Sequence, residues 1–243
     1  GVVFSLMAII QGTGGSIGMG ATSLISPMLG QKRVDDASEV GASAALMSVI
    51  AGALIGALGL LFLRPLVSLI GARDEVVPYA VDYARFILIA APFMTSAFVL
   101  NNILRSEGQA MYSMIAMISG GILNLFVDPL LIFTCNMGIA GAALATMLSQ
   151  MTSFVIMAII FFRDRSIVRL RPKYIGRKPS VYLRIVRMGV PTLFRQGMAS
   201  LSSALLNIQA APFGAAAVAA ISIANKLYMF VRHIVLGVGQ GFQ

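Results

Sequence analysis

Charge-free runs of helical length alternate with short polar segments along the chain. Residues 1–31 carry no Asp, Glu, Lys or Arg, and Lys32-Arg33-Val34-Asp35-Asp36 follows them. Residues 40–63 are charge-free up to Arg64-Pro65, and a longer polar stretch runs from Arg73-Asp74-Glu75 to Asp82. Residues 86–104 form the next apolar run, closed by Arg105-Ser106-Glu107-Gly108. Between Gly108 and Phe162 the only charge is Asp128. A membrane-crossing helix takes about 20 apolar residues, so this stretch predicts two helices, 110–134 and 139–162. The turn between them is Asn136-Met137-Gly138-Ile139-Ala140-Gly141. Residues 163–187 read as a basic loop, 188–211 as a further helix, Pro212-Phe213-Gly214 as a turn and 216–243 as a last helix. The pattern predicts about seven spans in an all-α, polytopic transmembrane helical bundle.

Composition agrees with the pattern. The 243 residues are 58% hydrophobic and 11% charged, against roughly 45–50% and 25% in soluble domains. That balance excludes a disordered chain and a secreted disulfide scaffold, and it argues against a soluble enzyme. No GxSxG, HExxH or phosphate-loop pattern occurs, and Gly12-x-Gly14-Gly15 lies inside an apolar run with no strand before it. The single Cys135 has no intramolecular partner and reads as a small apolar residue at a span end. The chain opens on Gly1 without a charged n-region, which reads as a piece of a longer protein rather than a signal peptide.

Charge then gives an expected orientation. The loops at 32–39, 105–107 and 163–187 fall on one side and hold 12 of the 18 Lys and Arg residues; the opposite loops hold Arg64, Arg73 and Arg85. The positive-inside rule places the first set in the cytoplasm. Within the basic loop, Pro179-Ser180 followed by Val181–Arg187 reads as a capped amphipathic helix able to lie along an anionic inner leaflet. Nucleic-acid binding has no other support in the chain.

Ionisable side chains inside spans cost several kcal/mol and mark candidate sites. Asp128 lies deep in an apolar run, and Asn124 stands one helical turn before it on the same face. The two oxygen donors could hold Na⁺ or share a proton, and Pro129 frees a backbone carbonyl beside them. The competing reading is that Asp128 caps a helix restarting at Pro129 or pairs with a buried base. Arg195, near a span end, reads as snorkelling. Lys226 and Arg232 lie deeper and could line a cavity; His233, the only His, cannot form a metal cluster. Small residues at spacing four, among them Gly52 with Gly56 and Gly141 with Ala145, suit close helix approach.

Several passages together resemble the multidrug and toxic compound extrusion (MATE) transporters. They are Gly18–Ser26 with Leu29-Gly30, Leu104–Gln109, Asn124–Pro129, Gly138–Thr146 and Met188–Pro191. The resemblance covers essentially the whole chain. It implies twelve helices in two six-helix lobes, with this chain running from the second helix into the eighth. Residues 1–162 would then be most of the N-terminal lobe, 163–187 a basic cytoplasmic inter-lobe loop, and 188–243 the start of the C-terminal lobe. It implies export of organic amphipaths across the cell's inner (plasma) membrane in exchange for Na⁺ or H⁺. One prokaryotic branch places its cation site at residues that look like Asn124, Asp128 and Thr146, with a Tyr corresponding to Tyr83. That branch also uses an Asp on the first helix, which this chain does not contain.

The expected mechanism is cation-coupled antiport by alternating access, with Lys226 and Arg232 as weaker substrate or coupling residues. No cofactor beyond the coupling ion is expected. The expected partners are a small organic substrate and membrane lipid, with no nucleic acid and a monomer as the working unit. The nearest alternative is a lipid-linked oligosaccharide flippase, which the bases Arg195, Lys226 and Arg232 keep open. A membrane-embedded transferase would need a catalytic cluster at a membrane face, for which Arg105 with Glu107 is the nearest approach.

Overall fold

A computed structural model describes residues 2–63, 77–135, 137–163, 165–176 and 179–210, with seven further positions between 227 and 237. The described elements are helical throughout. They are α1 (Val2–Gly30), α2 (Val34–Leu61), α3 (Val77–Ser106), α4 (Ala110–Pro129), α5 (Gly138–Phe162) and α6 (Pro179–Ala210). A π-helical turn, Leu130–Thr134, extends α4, and a short 3₁₀ turn covers Pro172–Tyr174. The chain forms two compact units, Gly1–Val190 and Pro191–Gln243. In the second, the described residues are the latter part of α6 and scattered helical positions.

Four of the helices are long and apolar enough to cross a membrane: α2, α3 from Val81, α4 with its π turn, and α5. The packing is that of a protein immersed in lipid. Large apolar side chains lie outside, as at Leu125, Phe126 and Phe133, while many contacts inside are made by Gly, Ala and Ser. Hydroxyls along the helices return their proton to the preceding turn, as Thr22 does to Gly18 O and Thr152 to Leu148 O. That local bond satisfies the donor without water.

α3 is the hub of the first unit, packed on α1, α2 and α5. Pro92 interrupts it, and having no N–H it leaves the Leu88 carbonyl without its helical donor. α2 meets that bend with Gly52, Gly56 and Gly59, all buried. Thr95 locks the crossing, its hydroxyl lying 2.8 Å from Ser48 O and 2.9 Å from Ala91 O.

Two apolar cores result. One gathers Ile17, Ile25, Val40, Leu104, Met157, Val168 and Ile185 at the end where α1 turns into α2. The other gathers Ile10, Ile87, Ala90, Ala91 and Met94, with Met7, Ile55, Tyr83 and Met147 against it. The turn after α1 needs one left-handed residue, Lys32 at φ 60°, and closes with Arg33 N donating to Met28 O at 2.9 Å.

Two sequence expectations change here. Val181–Arg187 does not lie apart as an interfacial helix. It forms the first turns of α6, a single helix from Pro179 through Pro191 to Ala210, so the span expected at 188–211 starts nine residues earlier. Ile185 is fully buried in the first core, and Gly20 of α1 lets that helix lie directly against the Ile185 carbonyl. One face of the segment, carrying Ile185, meets protein, while Leu183 and Val186 stay exposed.

The residues after α5 are also built into the bundle. Glu107 accepts hydrogen bonds from Ser166 Oγ (2.7 Å), the Ile167 amide (2.8 Å) and the Val168 amide (3.2 Å). The Arg169 amide donates to Ser38 Oγ (3.0 Å), the Gly176 amide to Ser43 Oγ (2.9 Å) and the Tyr174 hydroxyl to Asp35 Oδ1 (3.3 Å). Burial pushes the Glu107 carboxyl above the usual carboxylate range, against the pull of its three donors. The native fold thus holds the proton more tightly than the unfolded chain does. This contribution to stability is present below the unfolded pKa and is lost as pH rises through the folded value.

The sign of that shift bears on a substitution. Glu107→Gln removes the desolvated charge and keeps a carbonyl acceptor, so it should stay near the native stability. Glu107→Ala leaves two amides unpaired at about 1–3 kcal/mol each. Trypsin should then cut at Arg165 and Arg169 at least tenfold faster in the Ala protein than in the Gln protein. Equal cutting rates would show that Glu107 does not hold the segment.

Candidate cation site

α4 and α5 run antiparallel, and small residues bring them together. Ser153 Oγ donates to Ala116 O at 3.1 Å, and Gly120 faces the Ser153 hydroxyl and the Ser149 carbonyl. At the far end Gly141 sits against the Leu131 carbonyl, where a Cβ would come within 2.9 Å. These two anchors set Asn124 level with Thr146 and Asp128 about one turn beyond it, towards the π turn.

The local chemistry follows from the backbone. Asn124 and Asp128 share one face of α4, and both are half-buried. Pro129 denies a donor to the carbonyl four residues before it. The helix then widens over Leu130–Thr134, with the Cys135 amide donating to Leu130 O at 3.1 Å. π turns inserted in α-helices concentrate at functional positions. Asp128 Oδ1 is buried and has no hydrogen-bond partner. A buried carboxylate oxygen with no donor is costly, and a cation or a proton would satisfy it. Thr146 has spent its proton on Ala142 O at 3.0 Å, so its oxygen offers only lone pairs.

Tyr83 reaches the neighbourhood from α3. It packs on the Ile10–Met94 core, as does Met147, the residue after Thr146. Asn124 and Asp128 thus share a face of α4, Thr146 lies on the helix packed against it, and Tyr83 borders a core that Met147 also meets. Among the described residues no three His, Cys, Asp or Glu side chains gather as a metal cluster. The donors here are one carboxylate, one carboxamide, a hydroxyl and backbone carbonyls. Such hard oxygen donors suit an alkali cation or a proton rather than a soft metal. Lys226, Arg232 and His233 lie outside the described residues. Arg195 is exposed on α6, and Cys135 is free and exposed after the π turn.

Two features here were not anticipated from the sequence. The π turn depends on where the carbonyls after Pro129 find donors, which no residue pattern announces. Glu107, paired with Arg105 as the nearest thing to a catalytic cluster, instead holds the segment after α5.

Comparison with known proteins gives a consistent result. The MatE family profile matches residues 1–130. Multidrug export protein MepA of Staphylococcus aureus strain MRSA252 is 28% identical over 97% of this chain. That alignment takes in 52% of MepA, so the chain spans about half the length of the curated relatives it matches. A crystal structure of MATE in complex with MaD3S superposes with a TM-score of 0.93 at 30% identity, over 99% of this chain and 55% of that one. The outward-facing conformation of a multidrug resistance MATE family transporter gives 0.92 at 29% identity, over 99% of this chain and 54% of the other. These likenesses extend well beyond residue 130, and they match the apolar bundle described above. The chain is a multi-pass membrane protein and belongs to the MatE family.

Proposed function

We propose that the protein is a cation-coupled exporter of drugs or other organic amphipaths, with Asp128 as its coupling carboxylate. The observation that carries this reading is the buried, partnerless Oδ1 of Asp128, on the helix face it shares with Asn124. Residues 1–162 would form most of an N-terminal lobe, 163–187 an inter-lobe connection and 188–243 the start of a second lobe. The basic loops would face the cytoplasm of a cell whose plasma membrane holds the protein. A monomer would be the working unit.

Na⁺ or H⁺ entering from outside would neutralise Asp128 between Asn124 and Thr146. Neutralisation removes the cost of a bare carboxylate in a low-dielectric site. It shifts the conformational balance by the difference in cation affinity between the two states. The widened turn after Pro129 is the local element with backbone freedom to respond. Relatives named for multidrug export support the substrate class.

The test is drug efflux by the full-length protein in proteoliposomes, with Na⁺ and proton gradients imposed separately. Uphill export should follow one of them. Export that follows neither would remove the antiport reading. Thr146→Val keeps the shape and removes the oxygen. It should weaken cation affinity about tenfold, equivalent to about 1.4 kcal/mol, and leave the fold intact because its hydroxyl bonds only its own helix. Unchanged cation dependence in the Val protein would place the coupling ion elsewhere.

A further inference from the structure

We propose that the strap between α5 and α6 is a docking surface for the headgroups of anionic phospholipids. From Arg165 to Arg171 the strap is non-helical, bending at Ser166–Val168, and burial alternates along it. Ser166 and Val168 are buried and Leu170 half-buried, whereas Arg165, Ile167, Arg169 and Arg171 are exposed, as are Arg163 before them and Lys173 after. The outer side is therefore a run of exposed cations.

The row is built into the bundle. The inward residues are fixed by Glu107, by the Ser38 and Ser43 hydroxyls and by burial of Val168. The Glu107 carboxylate is spent on amides and a hydroxyl, so it does not neutralise the outer edge. Asp36 is paired with Arg33 at 2.7 Å. The strap also sits where spans end. It starts just after Phe162, which is 76% exposed at the end of α5, and it is tied to the start of α2 and the end of α3. Its cations thus lie next to the ends of two candidate spans.

One residue selects the partner. Ile167 stands in the middle of the row and is 45% exposed, and Leu183 and Val186 are exposed on the first turns of α6 beside Arg184 and Arg187. A cation row with outward apolar side chains fits a surface that is charged at its face and apolar just beneath. A nucleic-acid backbone offers no apolar layer for Ile167 to enter, and an acidic protein partner is separated by the test below. Arginine forks bind phosphate oxygens in pairs, which gives the row geometric as well as charge preference.

This inference rests on the helix ends and the strap, not on transport, so its failure would leave the export reading standing. The test is native mass spectrometry of the full-length protein titrated with phosphatidylglycerol or phosphatidylcholine. The native protein should retain phosphatidylglycerol at least about tenfold better. R165Q/R169Q/K173Q should lose most of that preference, since each cation near an anionic surface is worth about fivefold. The fold should survive this change, because the strap bond at Arg169 is made by its amide and the Arg165 side chain contributes only an exposed 3.4 Å bond to the Tyr112 hydroxyl. R165K/R169K keeps the charge and should keep the preference, which separates lost charge from lost structure. Ile167→Asn should weaken lipid retention and leave binding of glycerol phosphate unchanged. An unchanged preference in the Gln protein would overturn the proposal. So would displacement of the lipid by millimolar glycerol phosphate, which would indicate a free-phosphate site, or by soluble polyglutamate, which would indicate an acidic protein partner.

Discussion

Asp128→Asn is expected to stop gradient-driven export while leaving the protein folded and inserted. The substitution keeps the shape of the side chain and removes a charge whose Oδ1 is buried without a partner. Among the described residues Asp128 makes no ion pair. The neutral isostere therefore avoids a desolvation cost, and its melting temperature should equal or exceed the native one. Transport should behave oppositely. Without a carboxylate the site has no charge for a cation to neutralise, and uphill export should fall at least about 100-fold, equivalent to about 2.7 kcal/mol of lost coupling. A second readout separates coupling from damage. A ligand at 100 times its Kd stabilises the native state by about 2.7 kcal/mol, so saturating Na⁺ or acid should raise the native melting temperature by several degrees. The Asn protein should show no such rise. An Asn protein that pumps at the native rate would end the coupling role of Asp128.

The helices were legible in the sequence because lipid demands about 20 apolar residues per span and charge marks where each span stops. The turn expected at Asn136–Gly141 fell at the break in the long run 108–162, although the following helix already starts at Gly138. The start of α6 was misplaced for a physical reason. Apolar periodicity in Val181–Arg187 reports that one face leaves water, and a bilayer surface and a protein core satisfy it equally. Only the α1 contact at Gly20 decides for the core. The strap was missed for a related reason. Its alternation of cations with Ser166, Val168 and Leu170 is visible in the letters, but the partner that fixes it, Glu107, lies about 60 residues away. At the candidate site the i, i+4 pair Asn124 and Asp128 was readable from spacing alone. Thr146 came only from family resemblance, since no local pattern links it to α4. Its level beside Asn124 depends on the Gly120 and Gly141 contacts.

Gly52→Ala and Gly56→Ala are expected to destabilise the bundle, although helix propensity by itself predicts the reverse. In an open helix interior, Gly→Ala stabilises by about 1 kcal/mol. At Gly52 a Cβ would lie 2.5 Å from the Pro92 Cα and 2.8 Å from the Ala91 carbonyl oxygen, and would collide with the Thr95 hydroxyl. At Gly56 it would lie 2.6 Å from the Leu88 carbonyl oxygen, the acceptor that Pro92 leaves without a helical donor. Both obstacles include backbone, so relief requires α2 and α3 to separate. Separation would also pull on the bonds from Thr95 and Ser96 to the Ser48 turn. Each substitution should cost about 2–3 kcal/mol. Gly59→Ala meets only the tip of the Leu88 side chain, which can rotate away, so its cost should stay under about 1 kcal/mol. Gly121 has nothing within 4 Å, and Gly121→Ala should stabilise by up to about 1 kcal/mol. Thermal or denaturant unfolding of the four proteins in one detergent would order them. If Gly52→Ala and Gly56→Ala moved with Gly121→Ala, propensity would outweigh close packing and the tight α2–α3 crossing would be refuted. The opposite sign at Gly52 and Gly56 ties stability to the bend at Pro92. A proline that frees a carbonyl inside a membrane is tolerable only where a neighbour comes close enough to cover it, and here two glycines of α2 make that approach possible.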